Sequence, residues 1–259
     1  MTRYILITGG KGGVAKTTTA VSLGCALNFF GKDVTVVDAN LTTPNVGIYL
    51  GSPVVPINLN HVLQGKNHIS EAVYIHPTGT KIVPASISLD DMKNTKPDRL
   101  KQVIRGLKGL TDFVIIDCAA GLGKEALLAI DASDEIIITT NPEMPAIADA
   151  LKTIRVAEDM GKKILGVVVT RYRNSNDEIP IENIEALLEH KVIAIIPESI
   201  EIKESLALRD NVIYTHPTSD ASVSYKKLAS ELCGAPYIDE RAPIKPDYFS
   251  KILRLFGVR

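Results

Sequence analysis

Six short runs of aliphatic and β-branched residues, apolar throughout rather than at every second position, set the tightest limit on how this chain can fold. They are Tyr4–Thr8, Val34–Val37, Phe113–Ile116, Glu135–Ile138, Ile164–Val169 and Val192–Ile196. A strand with one wet face alternates apolar and polar residues, whereas continuous hydrophobicity belongs to strands whose sheet is covered by helices on both faces. Segments of helical length and composition lie between the runs, among them Thr17–Phe30 and Ala146–Met160. This order predicts an α/β fold, a doubly wound and mostly parallel sheet with helices on both faces. With 259 residues and 45% hydrophobic content, one such domain can bury a large core. Gly51-Ser52-Pro53, His76-Pro77-Thr78-Gly79 and Thr215-His216-Pro217 read as loops within it.

A formal net charge of −1 provides no global field to recruit nucleic acid, so no specific nucleic-acid partner is expected. The cysteines, Cys25, Cys118 and Cys233, are far apart and lack C-x-x-C spacing. That argues against a disulfide framework and a tetrahedral metal site, and fits a reducing cytoplasm. The chain enters its first apolar run without a basic leader, and no run approaches the ~20 residues that span a bilayer. A protein neither secreted nor integral to a membrane is expected.

The chemistry begins where the first run ends, at Gly9-Gly10-Lys11-Gly12-Gly13-Val14-Ala15-Lys16-Thr17-Thr18. Glycines let a backbone curl so that several N–H groups converge on phosphate oxygens, and the following helix adds its positive end. Lys16 and Thr17 occupy the positions of a phosphate-loop lysine and magnesium-binding hydroxyl. Ala15 stands where a glycine is usual, and its methyl group narrows the conformations open to the loop.

Lys11 adds a second lysine that an ordinary phosphate loop does not need. The run Lys11–Thr18 resembles the deviant Walker A loop of the MinD, ParA and nitrogenase-iron-protein superfamily. The resemblance implies that Lys11 reaches across an ATP-dependent homodimer to the partner's nucleotide, with ATP and Mg2+ as ligands. It makes Gly10, Lys11, Gly12, Gly13, Val14, Ala15, Lys16, Thr17 and Thr18 the candidate ATP-binding loop. Val36-Val37-Asp38-Ala39-Asn40, followed by Pro44-Asn45-Val46-Gly47, looks like the family's first switch. There the residue two past Asp38 normally carries a carboxylate that organises water. Asn40 retains hydrogen-bonding capacity but cannot accept a proton, so slow ATP hydrolysis is expected.

Ile115-Ile116-Asp117-Cys118-Ala119-Ala120-Gly121 resembles the Walker B strand and second switch. Thr17, Asp38 and Asp117 are the candidate magnesium residues, and Lys11, Lys16, Asn40 and Asp117 the candidate catalytic residues. Cys118 reads as a small core hydrophobe. Strand-end segments further along make Thr170, Arg171, Pro197 and Glu198 candidate adenine contacts by resemblance. The run Ile82-Val83-Pro84-Ala85-Ser86 also looks like the MinD group, without an assignable chemical role.

Residues 1–236 read as the ATPase domain, 237–248 as a polar, Pro-containing linker and 249–259 as an amphipathic helix. Phe249, Ile252, Leu253 and Phe256 form one helical stripe, flanked by Lys251 and Arg254. From Arg241 onward there are five basic residues against one acid, which suits an anionic lipid surface. A terminal helix docked on its own domain is the alternative for this segment.

These readings converge on a MinD-like regulatory ATPase, cytoplasmic and peripheral on the inner face of the cell membrane. Its dimer would position or regulate a protein partner in division-site selection. A non-membrane ParA-like partitioning, flagellum-positioning or carrier ATPase is the alternative.

Overall fold

The computed structural model describes residues 1–239 and Arg241. In its first half the chain runs β1 (Arg3–Thr8), α1 (Lys16–Phe29), β2 (Val34–Asp38), α2 (Val46–Tyr49), α3 (Leu59–Gln64), β3 (Tyr74–Ile75), β4 (Lys81–Val83), α4 (Leu89–Lys93) and α5 (Leu100–Arg105). It continues through β5 (Phe113–Asp117), α6 (Lys124–Ala132), β6 (Glu135–Thr140), α7 (Met144–Asp159), β7 (Lys163–Tyr172) and α8 (Ile181–Leu188). Then come β8 (Val192–Pro197), α9 (Ile200–Ala207), α10 (Val212–Thr215) and α11 (Asp220–Cys233). All six apolar runs are strands. The sheet order is β3-β4-β2-β5-β1-β6-β7-β8, and β3 with β4 is its antiparallel pair.

Successive strand residues enter opposite cores, which explains why the runs do not alternate. Leu6, Val37, Ile116, Ile136 and Val167 pack with Ile104, Ile130, Ile154 and Ile184 from α5 to α8. On the other face, Ile5, Val36, Ile115, Ile137 and Val168 meet Leu23, Leu27, Tyr225 and Leu228 from α1 and α11. α7 starts earlier than the sequence pattern suggests because Pro145 sits in its first turn, where a missing N–H costs nothing.

Two strands have no counterpart among the runs. β4 is only three residues long, too short for a periodic signal, and gains its place by pairing with β2. The Pro84-Ala85-Ser86 segment behind it fastens α3: the Pro84 carbonyl accepts from Leu59 N (2.9 Å), and Ser86 N donates to Asn60 Oδ1 (2.8 Å).

Near the described C-terminal end, Tyr237 packs edge-on against Phe30 with centroids 5.9 Å apart, and Arg241 pairs with Asp239 and Asp220. The tail residues Phe249, Lys251, Ile252, Leu253, Arg254 and Phe256 lie outside the described residues. Among the described residues, no helix is long and apolar enough to cross a membrane.

Candidate functional site

β1 lies between β5 and β6, and the loop that leaves its carboxyl end becomes α1. This is the edge at which open parallel sheets bind ligands. Two glycines shape the loop for different reasons. A Cβ on Gly10 would run into the Asp149 backbone on α7, whereas Gly13 takes φ +83°. Ala15 is left-handed as well, with φ 58° and ψ 34°, a conformation that costs a non-glycine residue roughly 1–2 kcal/mol. That bend makes Lys16 the first residue of α1. Among the described residues no side chain caps this helix, and its first turn holds no acid, so none of them claims its leading N–H groups and positive end. Such an end is an anion cradle.

Lys16 is 8% exposed and donates to the Lys11 carbonyl at 3.0 Å. Burial draws its ammonium below the ordinary lysine range, opposed by the negative charge of nearby groups including Asp117. Thr17 Oγ1 donates to Asp117 Oδ2 at 2.6 Å. Asp117 is fully buried, and its other oxygen, Oδ1, has no partner among the described residues. Asp38, also fully buried, is its register partner on β2. Its Oδ2 accepts from Asn45 N (2.8 Å) and Val46 N (2.9 Å), and its Oδ1 from Asn40 N (3.2 Å).

Burial pushes both carboxyls above the usual carboxylate range. The Asp117 charge raises Asp38 further, while backbone donors oppose this; Thr17 and Lys16 pull Asp117 back down. Two buried acids, an orphaned carboxylate oxygen and a hydroxyl aimed at the same carboxylate suit a divalent cation. Among the described residues, no cluster of three His, Cys, Asp or Glu side chains forms a metal cage. A cation here would therefore draw on Thr17, Asp117 and oxygens of a bound ligand, as magnesium commonly does. Cys118 is buried with its thiol pushed up to about 12 by that burial, as suits a core residue.

Asn40 is committed to its own turn. Its Nδ2 donates to the Thr43 carbonyl at 2.6 Å, and its Oδ1 accepts from Thr43 N and Oγ1, both at 3.1 Å. Lys11 is exposed at the mouth of the loop, with Nζ 3.8 Å from Glu143 Oε2. Both partners are about half exposed, so the pair is weak and easily exchanged.

Thr170, Arg171, Pro197 and Glu198 line one cleft together with Ala15 and Thr18. Against β8, the register of β7 moves from Val169↔Ile195 to Tyr172↔Pro197, so the strand carries one extra residue there. The bulge contains Arg171 in a left-handed conformation, φ 55°, at the cleft wall. The Thr170 hydroxyl is spent inside the protein, on Asn141 Oδ1 (2.9 Å) and the Val14 carbonyl (3.2 Å). Val14 itself is buried. Sequence reasoning missed Tyr49, Lys203 and Tyr225, which also line the cleft. A signal existed for α9, which carries Lys203: Ser199 directly follows Pro197-Glu198, and its hydroxyl caps Ile202 N at 3.3 Å. Tyr49 and Tyr225 are brought in by packing and had no local signal.

Comparison with known proteins agrees with this geometry. Residues 5–212 match the CobQ/CobB/MinD/ParA nucleotide binding domain. An uncharacterized ATP-binding protein of Methanocaldococcus jannaschii is 38% identical, covering 98% of this chain and 97% of that protein. The cell division ATPase MinD of Pyrococcus furiosus superposes with a TM-score of 0.87 at 34% identity, covering 90% of this chain and 99% of that one. The septum site-determining protein MinD of Pyrococcus horikoshii, solved with Mg-ADP, gives 0.86 at 35% identity over 95% and 100% of the two chains. A glycine-rich loop between strand and helix at the centre of a doubly wound sheet, two aligned buried aspartates and a match over most of the sequence lead to one assignment: the chain belongs to the CobQ/CobB/MinD/ParA nucleotide-binding family.

Proposed function

We propose that this protein is a MinD-type ATPase that dimerises around ATP, hydrolyses it slowly and, as a dimer, binds membrane and a protein partner in division-site selection. The observation that carries the nucleotide part is the uncapped start of α1 beside Thr17, Asp117 and Asp38. Backbone amides from Gly10 to Thr18 would wrap the phosphates, with the Lys16 ammonium balancing their charge. Thr17 and Asp117 would hold magnesium, with Asp38 behind them. When bound, that ion screens the charge on the phosphates. Asn40, with its amide bound to Thr43, has no carboxylate to take a proton from water, so turnover is slow.

Lys11 would exchange its weak contact with Glu143 for the partner's nucleotide. Two weak tails on one dimer gain effective concentration at a bilayer, and five cations from Arg241 onward favour anionic lipid. The MinD identity of the two Pyrococcus relatives supports the division role. Flotation with anionic liposomes in ATP, ADP or no nucleotide tests the reading. ATP-dependent flotation is expected, and its absence favours the non-membrane ParA-like or carrier alternative.

A further inference from the structure

Tyr49 closes α2, the short helix that begins inside the segment resembling the first switch, and it lines the same cleft as Thr170, Arg171, Pro197 and Glu198. Its hydroxyl lies 3.2 Å from Thr18 Oγ1 on α1, one residue past the magnesium-side threonine. At the other end of α2, the amides of Asn45 and Val46 rest on Asp38 Oδ2 at 2.8 and 2.9 Å. One helical turn therefore joins the cleft wall to the aspartate behind the cation position.

We infer that Tyr49 is a nucleoside-contacting residue, the aromatic wall of the base cleft, through which an occupied cleft fixes the first switch against Asp38. This rests on the nucleotide reading above. Phosphates wrapped by the amides around Lys16 put the attached nucleoside past Thr18, where the cleft opens and Tyr49 stands. An aromatic ring suits that place because every purine offers a π face. Its hydroxyl ties the wall to α1. Cleft occupancy and switch position then become one equilibrium, since α2 cannot tilt away from Asp38 without withdrawing the ring.

Calorimetry with two ligands that share a diphosphate, Mg-ADP and Mg-pyrophosphate, separates the nucleoside contact from the phosphate cradle. For Tyr49→Ala, ADP affinity is expected to fall about tenfold, within the range of aromatic–base stacking, with pyrophosphate affinity unchanged. Tyr49→Phe keeps the ring and the packing and is expected to stay within about twofold of the parent for ADP. In amide hydrogen exchange, ADP should protect Asn45 and Val46 more than pyrophosphate does, and this excess should vanish in Tyr49→Ala. Equal losses for both ligands, or no loss for either, would make Tyr49 a packing residue and overturn the inference. A parent chain that binds neither ligand would instead overturn the nucleotide reading on which it rests.

Discussion

Asp38 and Asp117 stand side by side at the carboxyl ends of β2 and β5, register partners in adjacent parallel strands and both fully buried. Burial holds both carboxyls above their ordinary range, so the folded chain binds protons that the unfolded chain releases. The pair's contribution to stability is therefore fullest below about pH 4 and is lost as pH rises through the raised values. Parent and Asp117→Asn compared in thermal scans isolate this component. The parent should lose stability relative to the variant between about pH 5 and pH 8. Mg-ADP should restore more stability to the parent at the higher pH. A parent-to-variant difference independent of pH would mean that the pair is not strained by charge.

Ala15 carries its methyl group in a left-handed conformation at the entry to α1. Ala15→Gly removes that strain but frees the unfolded chain, so a net gain of roughly 0.5–1 kcal/mol is expected. Urea unfolding measures it. A destabilised glycine variant would show that the methyl contributes packing the loop requires.

Asn40→Asp places a carboxylate against the Thr43 carbonyl that the amide now donates to. The variant should lose about 1–2 kcal/mol of stability, since a donor is replaced by a second acceptor. Single-turnover hydrolysis should nevertheless accelerate by about tenfold or more, because the position regains a proton acceptor. An unchanged rate would assign the water to another group.

Lys16 is buried at the start of α1 while Lys11 is exposed in the loop before it, and the two should fail differently. Lys16→Ala is expected to weaken ATP binding about a hundredfold or more, the scale of a lost charged hydrogen bond. Lys11→Ala should bind ATP within a few-fold of the parent yet remain monomeric in light scattering. Dimerisation of the Lys11 variant at parental ATP concentrations would remove Lys11 from the interface.

The amphipathic helix expected of residues 249–259 from their sequence pattern yields the last expectation. Phe256→Glu places a charge among Phe249, Ile252 and Leu253, and should abolish ATP-dependent flotation without altering ATP affinity. Binding by the parent should fall as salt screens the cationic residues. A variant that floats as well as the parent would point to the docked-helix alternative.

The continuous apolar runs disclosed the central sheet because burial on both faces leaves a mark at every residue. The strand–loop–helix turn from Gly9 to Thr18 was legible for a related reason: its residues are contiguous, and local spacing alone places Lys16 and Thr17 together at the start of α1. Asp38 and Asp117 were legible as strand-end acids, but their placement side by side depends on a crossover connection that spacing does not encode. The commitment of Asn40 to Thr43 was equally hidden, since an Asn after a strand serves a turn or a ligand with the same amide. Tyr49 meets Thr18 across 31 positions of sequence, and β4 is too short for any period to register.

The seat of β1 between β5 and β6 has a consequence for how the protein comes apart. Amides at the middle of a sheet exchange with solvent through the largest openings, whereas the edges fray in smaller ones. The loop that begins at Gly9 hangs from the protected centre, but β8 with Pro197 is an edge. Partial unfolding from that edge would therefore erase discrimination between bases while the grip on phosphate persists. A chain under mild denaturant should pass through a form that still holds pyrophosphate and no longer distinguishes one nucleotide from another.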